Sequence, residues 1–354
     1  MGIEDKPAGV RAGETFDTGK METFIRDHLP DLKGTLEVKQ FPSGFSNLTY
    51  RLQIGDQALV LRRPPFGKKA KTAHDMSREY RILKALKPVF PYVPEPLLYC
   101  DDPSVIGSEF YIMQRLRGII LRKNVPRGIH LSTEAAAALC ANWVDVLVDL
   151  HGLDYEKAGL GDFGKPEGYV HRQVTGWTGR YRDAHTEDAP DFEAVMRWLH
   201  DHLPPDAPVA CVVHNDYKFD NVVLAPDDPA TIIGVLDWEM ATIGNPLMDL
   251  GASLAYWVTA DDPEEFQLIC TLPTAAPGML NREQLVDRYL AKTGQALPAF
   301  DFYLCFGLFR LAVIAQQIYY RFYHGQTRDE RFGMLIAAVQ ILERAALKII
   351  HEGM

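Results

Sequence analysis

The order of apolar and polar positions changes character along the chain. The first 115 residues are dominated by short alternating runs. Leu36-Glu-Val-Lys-Gln-Phe41 and Thr49-Tyr-Arg-Leu-Gln-Ile54 put apolar side chains at every second position, as a strand with one buried face requires. Gly55-Asp56 then predicts a hairpin turn into Ala58-Leu-Val-Leu-Arg62. Pro64-Pro65 ends that run, because proline has no N–H to give a ladder. From Met76 to Leu86 the apolar positions are 76, 80, 82, 83 and 86, which is helical spacing. Pro88, Pro91, Pro94 and Pro96 predict a loop, and Glu109-Phe-Tyr-Ile-Met113 a further strand. This part therefore reads as strand-rich with one helix.

After Gly118 the pattern becomes helical. A long helix is expected from Ser132 or Thr133, either of which can cap it, to about His151. Gln173–Ala184 carries Trp177, Arg180 and Tyr181 at helical spacing, as a packing stripe or as part of the wall of a substrate pocket. Further helices are expected over Phe192–His202, Arg282–Lys292 (stopped by Gly294), Phe302–Tyr323 and Phe332–His351. Val209–Asp237 reads as two short strands around a loop. The fold class is therefore α+β, a β-rich N-terminal lobe and a mainly helical C-terminal lobe joined near residues 113–119. The division adopted is 1–115 and 116–354.

Composition narrows the function classes. The 354 residues hold 37 Lys and Arg against 47 Asp and Glu, a net charge of −10, and no polybasic run. Such a chain is not built to grip nucleic acid by bulk charge. Its 5 cysteines stand far apart with no CxxC, so no zinc ribbon or redox pair is read and buried thiols in a reducing compartment are expected. The N-terminus is polar and has Lys6 where a myristoylation motif wants Ser or Thr. No run of 18 apolar residues occurs, so no membrane span and a cytoplasmic protein are expected.

Chemistry concentrates in Cys211-Val-Val-His214-Asn-Asp216-Tyr-Lys218-Phe-Asp220-Asn221 and in Thr231-Ile-Ile-Gly-Val-Leu236-Asp237-Trp238. Each apolar run delivers polar residues to its end. Phosphoryl transfer from ATP needs a carboxylate to orient and deprotonate the acceptor hydroxyl. It also needs a carboxylate and an amide oxygen for Mg²⁺, and a cation against the transferred charge. Asp216, Asp237, Asn221 and Lys218 supply that set in chain order.

H-x-D-x-K-x-x-N followed by an apolar run and Asp resembles the catalytic and metal segments of the protein-kinase-like fold. More narrowly, HNDYKFDN with LDWEMA resembles the aminoglycoside phosphotransferase and choline kinase superfamily. The resemblance covers roughly residues 36–325. It implies the two-lobed kinase-like fold, ATP and Mg²⁺ as cofactors, and a small-molecule hydroxyl as acceptor. It makes Asp216 the catalytic base, Lys218 a contact to the γ-phosphate, Asn221 and Asp237 the Mg²⁺ ligands, and His214 a brace for the loop.

In the N-terminal half, the resemblance places the phosphate-covering loop at Ser43-Gly44-Phe-Ser46-Asn47. Arg62 stands where the family carries its phosphate-binding lysine, with Glu79 as its ion-pair partner, and Ile112-Met113-Gln114-Arg115 resembles the adenine-binding hinge. Val60-Leu-Arg-Arg-Pro-Pro65, Val213–Lys218, Leu236–Ala241 and Gly244–Asp249 resemble the branch found with acyl-CoA dehydrogenases. That branch implies a hydroxyacyl-CoA or hydroxy acid as acceptor and a functional link to such a dehydrogenase. The alternatives are a cationic aminoglycoside- or choline-type acceptor, and a nucleotide-binding pseudokinase without turnover.

Of the remaining features, Lys68, Lys69 and Lys71 read as a solvated loop or as a contact to CoA phosphates. Asp249 reads as a helix cap and His151 as a satisfied buried histidine. Gly251-Ala-Ser253 lies in an apolar helical run with no strand before it, which excludes a nucleophile elbow. There is no GxxxxGK[ST], no HExxH and no GxGxxG after a strand.

Overall fold

A computed structural model of the chain describes residues 7–41, 47–65, 75–126, 128–205, 209–296 and 299–354. Its residues divide into two compact units. One comprises Met1–Ile120, Val222–Asp228 and Ile233–Met240, and the other Leu121–Asn221, Pro229–Ile232 and Ala241–Met354.

The first unit opens with α1 (Thr18–His28), capped by the Asp17 side chain. Then come β1 (Leu36–Gln40), β2 (Leu48–Ile54) and β3 (Gln57–Arg63), followed by α2 (Met76–Leu86). After these, β4 (Pro96–Cys100), the short α3 (Pro103–Ile106) and β5 (Phe110–Gln114) complete an antiparallel five-stranded sheet of order β1-β2-β3-β5-β4. In β2 the alternation of Leu48, Tyr50, Leu52 and Ile54 with half-exposed residues turns one face of the sheet into a core. Met21 and Ile25 of α1 join that core.

Neighbouring residues of β3 face opposite ways. Leu59 and Leu61 join the α1 core, and Arg63 donates to the Ile106 carbonyl at 2.8 Å. Arg62, opposite Thr49 and Tyr111 in register, has the other parity. The α2 helix, capped by Asp75, runs over the residues predicted for it.

Three elements of this unit differ from the sequence expectation. α1 and the four-residue α3 are additional helices, and the apolar positions of α1 are too few among polar neighbours to stand out. β4 begins at a proline, which an edge strand tolerates because the missing N–H costs no ladder bond.

The second unit contributes α4 (Thr133–His151), α5 (Tyr169–Asp183), α6 (Glu193–Asp201) and β6 (Cys211–Val213). Ser132 is the cap of α4. The chain then passes through β7 (Val222–Leu224) and β8 (Ile232–Val235), which pair with each other and belong almost wholly to the first unit, before β9 (Thr242–Gly244) pairs antiparallel with β6. Helices α7 (Pro246–Leu254), α8 (Glu264–Leu268), α9 (Arg282–Thr293), α10 (Asp301–Tyr323) and α11 (Leu335–Glu352) finish the fold. α9 carries an Asn281/Gln284 capping box and ends at Gly294 with φ 67°, a left-handed conformation that glycine adopts at no steric cost. Where one helix was expected from Phe332, a 3₁₀ segment Glu330–Met334 precedes α11.

α10 is long and apolar enough to cross a membrane by length and composition, yet 78% of its apolar stretch is buried. It is a core helix. It meets α7 at a glycine pair: a Cβ on Gly251 would lie 2.2 Å from the Tyr303 carbonyl oxygen, and one on Gly307 2.1 Å from the Gly251 oxygen. The crossing is that close because both positions lack a side chain. Gly251 thus serves packing, in agreement with the exclusion of a nucleophile elbow.

Candidate active site

The residues singled out by the sequence gather into two sets, one in each unit. In the second unit β6 ends at Val213 and the chain enters a loop that the protein holds by its backbone. Asp249, wholly buried on α7, accepts from the His214 N–H at 2.6 Å and the Asn215 N–H at 2.7 Å. His151 Nε2 reaches the same carboxylate at 3.1 Å, and its Nδ1 lies 2.7 Å from the Tyr289 hydroxyl. Burial alone would raise the Asp249 carboxyl, but its bonds to His151 and His214 hold it below the ordinary range. The helix cap expected of Asp249 belongs to Asn245, whose side chain accepts from the N–H groups of Leu247 and Met248. Asp249 lies one turn inside the helix and grips the loop.

Asn215 has φ 62°, a left-handed conformation unusual for a side chain with a Cβ and tolerated best by Asn and Asp. Among the bonds that secure it are its N–H to Asp249, its carbonyl accepting from Arg310 Nη2 at 2.7 Å, and its Oδ1 accepting from the Tyr169 hydroxyl at 3.3 Å. The next residue, Asp216, gives its N–H to His214 Nδ1 at 3.2 Å, which makes His214 the brace it was expected to be.

The Asp216 carboxylate lies 3.1 Å from Lys218 Nζ and accepts from Asn221 Nδ2 at 2.8 Å. Asn221 also donates to the Asp216 carbonyl at 2.9 Å. Lys218 is 4.7 Å over the Tyr256 ring, with Asp220 at 3.9 Å. Burial would lower its ammonium, and Tyr256, Asp216 and Asp220 outweigh that and raise it, so Lys218 stays charged. The structure thus brings Asp216, Lys218 and Asn221 together, and adds Tyr256 beneath the lysine.

The first unit holds the second set. Arg62 is 8% exposed and bonds Glu79 Oε1 at 2.6 Å through Nη1 and Asp237 Oδ1 at 2.9 Å through Nη2, with Glu239 at 4.0 Å. Burial would lower the guanidinium, but Glu79 and Asp237 raise it well above its ordinary range. Glu79, walled off from water and sharing its one cation with Asp237, is pushed up to about 7. Asp237 follows β8 at φ 65° and leads into a 3₁₀ turn whose Trp238 is buried against Phe90. Of the three left-handed non-glycine residues among the described residues, Asn215 and Asp237 adjoin or belong to the predicted constellation, while Phe192 precedes α6 in the core.

Asn47 is buried and donates to Glu239 Oε2 at 2.6 Å. Ser43, Gly44 and Ser46 of the expected phosphate-covering loop, and Lys68, Lys69 and Lys71, lie outside the described residues. Gln114 ends β5 with its N–H donating to the Glu95 carbonyl at 2.8 Å, and the Arg115 guanidinium lies 5.9 Å from the Phe41 ring.

Asn221 in the second unit and Asp237 in the first each offer oxygen, the atom a hard cation prefers. Asn221 commits its amide nitrogen to Asp216, leaving the carbonyl oxygen as its metal-binding atom, and the Asp237 carboxylate is 33% exposed. No cluster of three or more His, Cys, Asp or Glu suited to a metal exists among the described residues, so any such ion would need further ligands such as phosphate oxygens.

Sequence reasoning missed Glu239, Tyr256, Arg310 and the grip of Asp249. Glu239 sits inside the quoted LDWEMA segment, the one signal that pointed to any of them. Of the stripe Trp177, Arg180 and Tyr181, Tyr181 belongs to the core, packed on Phe192 and Phe309.

A profile of the phosphotransferase enzyme family matches residues 37–303. Acyl-CoA dehydrogenase family member 11 of Rattus norvegicus is 36% identical over 346 residues, covering 94% of this chain and 43% of that protein. A probable acyl-CoA dehydrogenase of Arabidopsis thaliana is 30% identical over 89% of this chain and 40% of its own length. The chain thus spans less than half the length of these curated relatives. Among solved structures, a protein of Ralstonia eutropha provisionally described as an aminoglycoside phosphotransferase superposes with TM-score 0.77 at 32% identity, covering 94% and 99% of the two chains. Choline kinase of Cryptosporidium parvum shares the fold, with TM-score 0.63 at 13% identity over 95% of this chain and 97% of that one.

Proposed function

Because this chain belongs to the phosphotransferase enzyme family, we propose that it is a small-molecule kinase that transfers the γ-phosphoryl group of ATP to a substrate hydroxyl. The observation that carries the reading is the Asp216 carboxylate held between Lys218 Nζ and Asn221 Nδ2 on a loop whose backbone Asp249 grips. Asp216 orients the acceptor hydroxyl and takes its proton as the oxygen attacks phosphorus. Lys218, kept charged by its neighbours, stabilises the charge that spreads over the transferred group. Asn221 and Asp237 would hold Mg²⁺, which when bound would supply positive charge against the phosphates.

Arg62 spends both terminal nitrogens on Glu79 and Asp237. In this reading it positions the metal-binding carboxylate and adds positive charge beside the phosphates. By the family resemblance Ser43, Gly44, Ser46 and Asn47 are assigned to the phosphates, and Gln114 and Arg115 to the base. The relatives' names favour an acyl-chain hydroxyl, in a hydroxyacyl-CoA or hydroxy acid, and a functional link to an acyl-CoA dehydrogenase. All five cysteines are free thiols, which suits the reducing cytoplasm.

The test is Asp216→Asn with a panel of hydroxyacyl-CoAs, hydroxy acids, amino alcohols and aminoglycosides. Turnover on the accepted class should fall by roughly 10²–10⁴-fold, with ATP affinity nearly unchanged in equilibrium binding. Unchanged turnover refutes the assignment. ATP binding without turnover on any acceptor, in the unmodified chain, would make it a pseudokinase.

A further inference from the structure

An open groove of about 420 Å³ lies along α5 and α10, and Arg180, Asp183, Gln317 and Arg321 on it are exposed. Arg180, Asp183 and Ala184 line it from one helix, and Gln317, Tyr320 and Arg321 from the other. Positions i, i+3 and i+4 share a helix face, so each helix presents one face to the space.

The charge on these walls is unusual for this chain. Two arginines and one aspartate give the lining 2 − 1 = +1, in a protein of net charge −10. Neither Arg180 nor Arg321 forms an ion pair among the described residues, although Asp183 shares the wall. Arg182, two positions along α5, is paired with Glu193 at 3.0 Å and lies outside the lining. Behind Arg180 stands more positive charge. Its guanidinium lies 4.5 Å from the Trp177 ring, and buried Arg310 lies 5.1 Å from the same ring. Burial first, and then the charge of Arg310, push the Arg180 guanidinium below its ordinary range.

Uncompensated guanidinium charge facing a groove with a tyrosine hydroxyl and a glutamine amide is the donor set that binds carboxylate or phosphate. The groove also connects to the chemistry through packed side chains. Arg310 joins the Trp177–Arg180 stack to the Asn215 carbonyl, the residue before Asp216.

We propose that the groove along α5 and α10 is an anion-binding subsite that takes the carboxylate or phosphate of the acceptor, with Arg180 and Arg321 as its principal ligands. The inference rests on the kinase reading for the word acceptor; the binding of the anion does not. It also separates the acceptor classes, since an ammonium-rich molecule would meet two guanidinium groups here.

The test is calorimetric binding to the full chain without nucleotide, followed by acceptor KM. The probes are a free hydroxy acid, its methyl ester, CoA, inorganic phosphate and an aminoglycoside. The variants are Arg180→Gln, Arg321→Gln, the double substitution and Arg182→Gln as control. Losing one charged hydrogen bond should weaken the anionic probe by roughly 10–100-fold, while Arg182→Gln leaves it unchanged. Preference for the acid over its ester identifies a carboxylate, and preference for CoA and inorganic phosphate identifies a phosphate.

Anion affinity unaltered in the double variant, or aminoglycoside bound more tightly than every anion, overturns the proposal. The two readings fail separately. Anion binding lost with Arg180 and Arg321 but no transfer to any acceptor defeats the kinase reading alone. Transfer with an acceptor KM indifferent to both arginines defeats the subsite alone.

Discussion

Arg62 is one cation among Glu79, Asp237 and Glu239, and it bridges the first two. A lysine has a single nitrogen and cannot make both contacts with the arginine's planar geometry. Arg62→Gln should lower the unfolding free energy by roughly 3–5 kcal/mol, because it strands the buried Glu79 carboxylate. In chemical denaturation Arg62→Lys should fall between that variant and the parent. Glu79 makes a pH prediction. Burial lifts its carboxyl from 4.5 to about 7, so the folded state holds a proton that the unfolded chain has already released. The resulting stability is fully present below about pH 4.5 and is lost as pH rises through about 7. Glu79→Gln should flatten the fall in denaturation midpoint between pH 5 and 8. A parallel slope in the variant would show that Glu79 does not titrate there. Asp249→Ala removes the acceptor of two backbone N–H groups. Roughly 1–3 kcal/mol of stability should go with each unsatisfied group, read as a lowered melting temperature.

Among the elements, the crossing of α7 and α10 is the most sensitive to a small change. With Cβ positions at 2.1 and 2.2 Å from opposing backbone oxygens, Gly307→Ala or Gly251→Ala must push two helices apart. Overpacking of this kind costs roughly 1–3 kcal/mol, against the slight gain alanine brings to an exposed helix site. Thermal unfolding of Gly307→Ala should show a clear loss, and unchanged melting would mean the helices are not in contact there. The legibility of an element followed how much of its signal was local. α2 was readable end to end because it has a clean apolar face. α1 was not, because only Met21 and Ile25 are buried along its length. β4 was read as loop because proline normally breaks a ladder, and its edge position, which removes that objection, is a property of the sheet.

For the molecule as a whole, four of the five thiols are buried, Cys270 is half-buried, and burial raises Cys100, Cys140, Cys211 and Cys305 above the ordinary thiol range. A thiol reagent at neutral pH should label at most Cys270 promptly in the native protein and all five in denaturant. Prompt labelling of several would contradict the packing described. The net charge of −10 excluded a nucleic-acid grip but carried no information about the basic lining between α5 and α10, since a total does not locate its parts. The chain by itself determined the α+β division and the Asp216, Lys218 and Asn221 set, because strand alternation, helical period and a six-residue loop are short-range properties of consecutive residues. Tertiary structure alone decided that Arg62 meets Asp237 across 175 residues of sequence. It also decided that Asp249 grips the loop and does not cap its helix, and that Arg180 and Arg321 face one groove. Those contacts depend on where distant elements come to rest, and hydrophobic burial sets that.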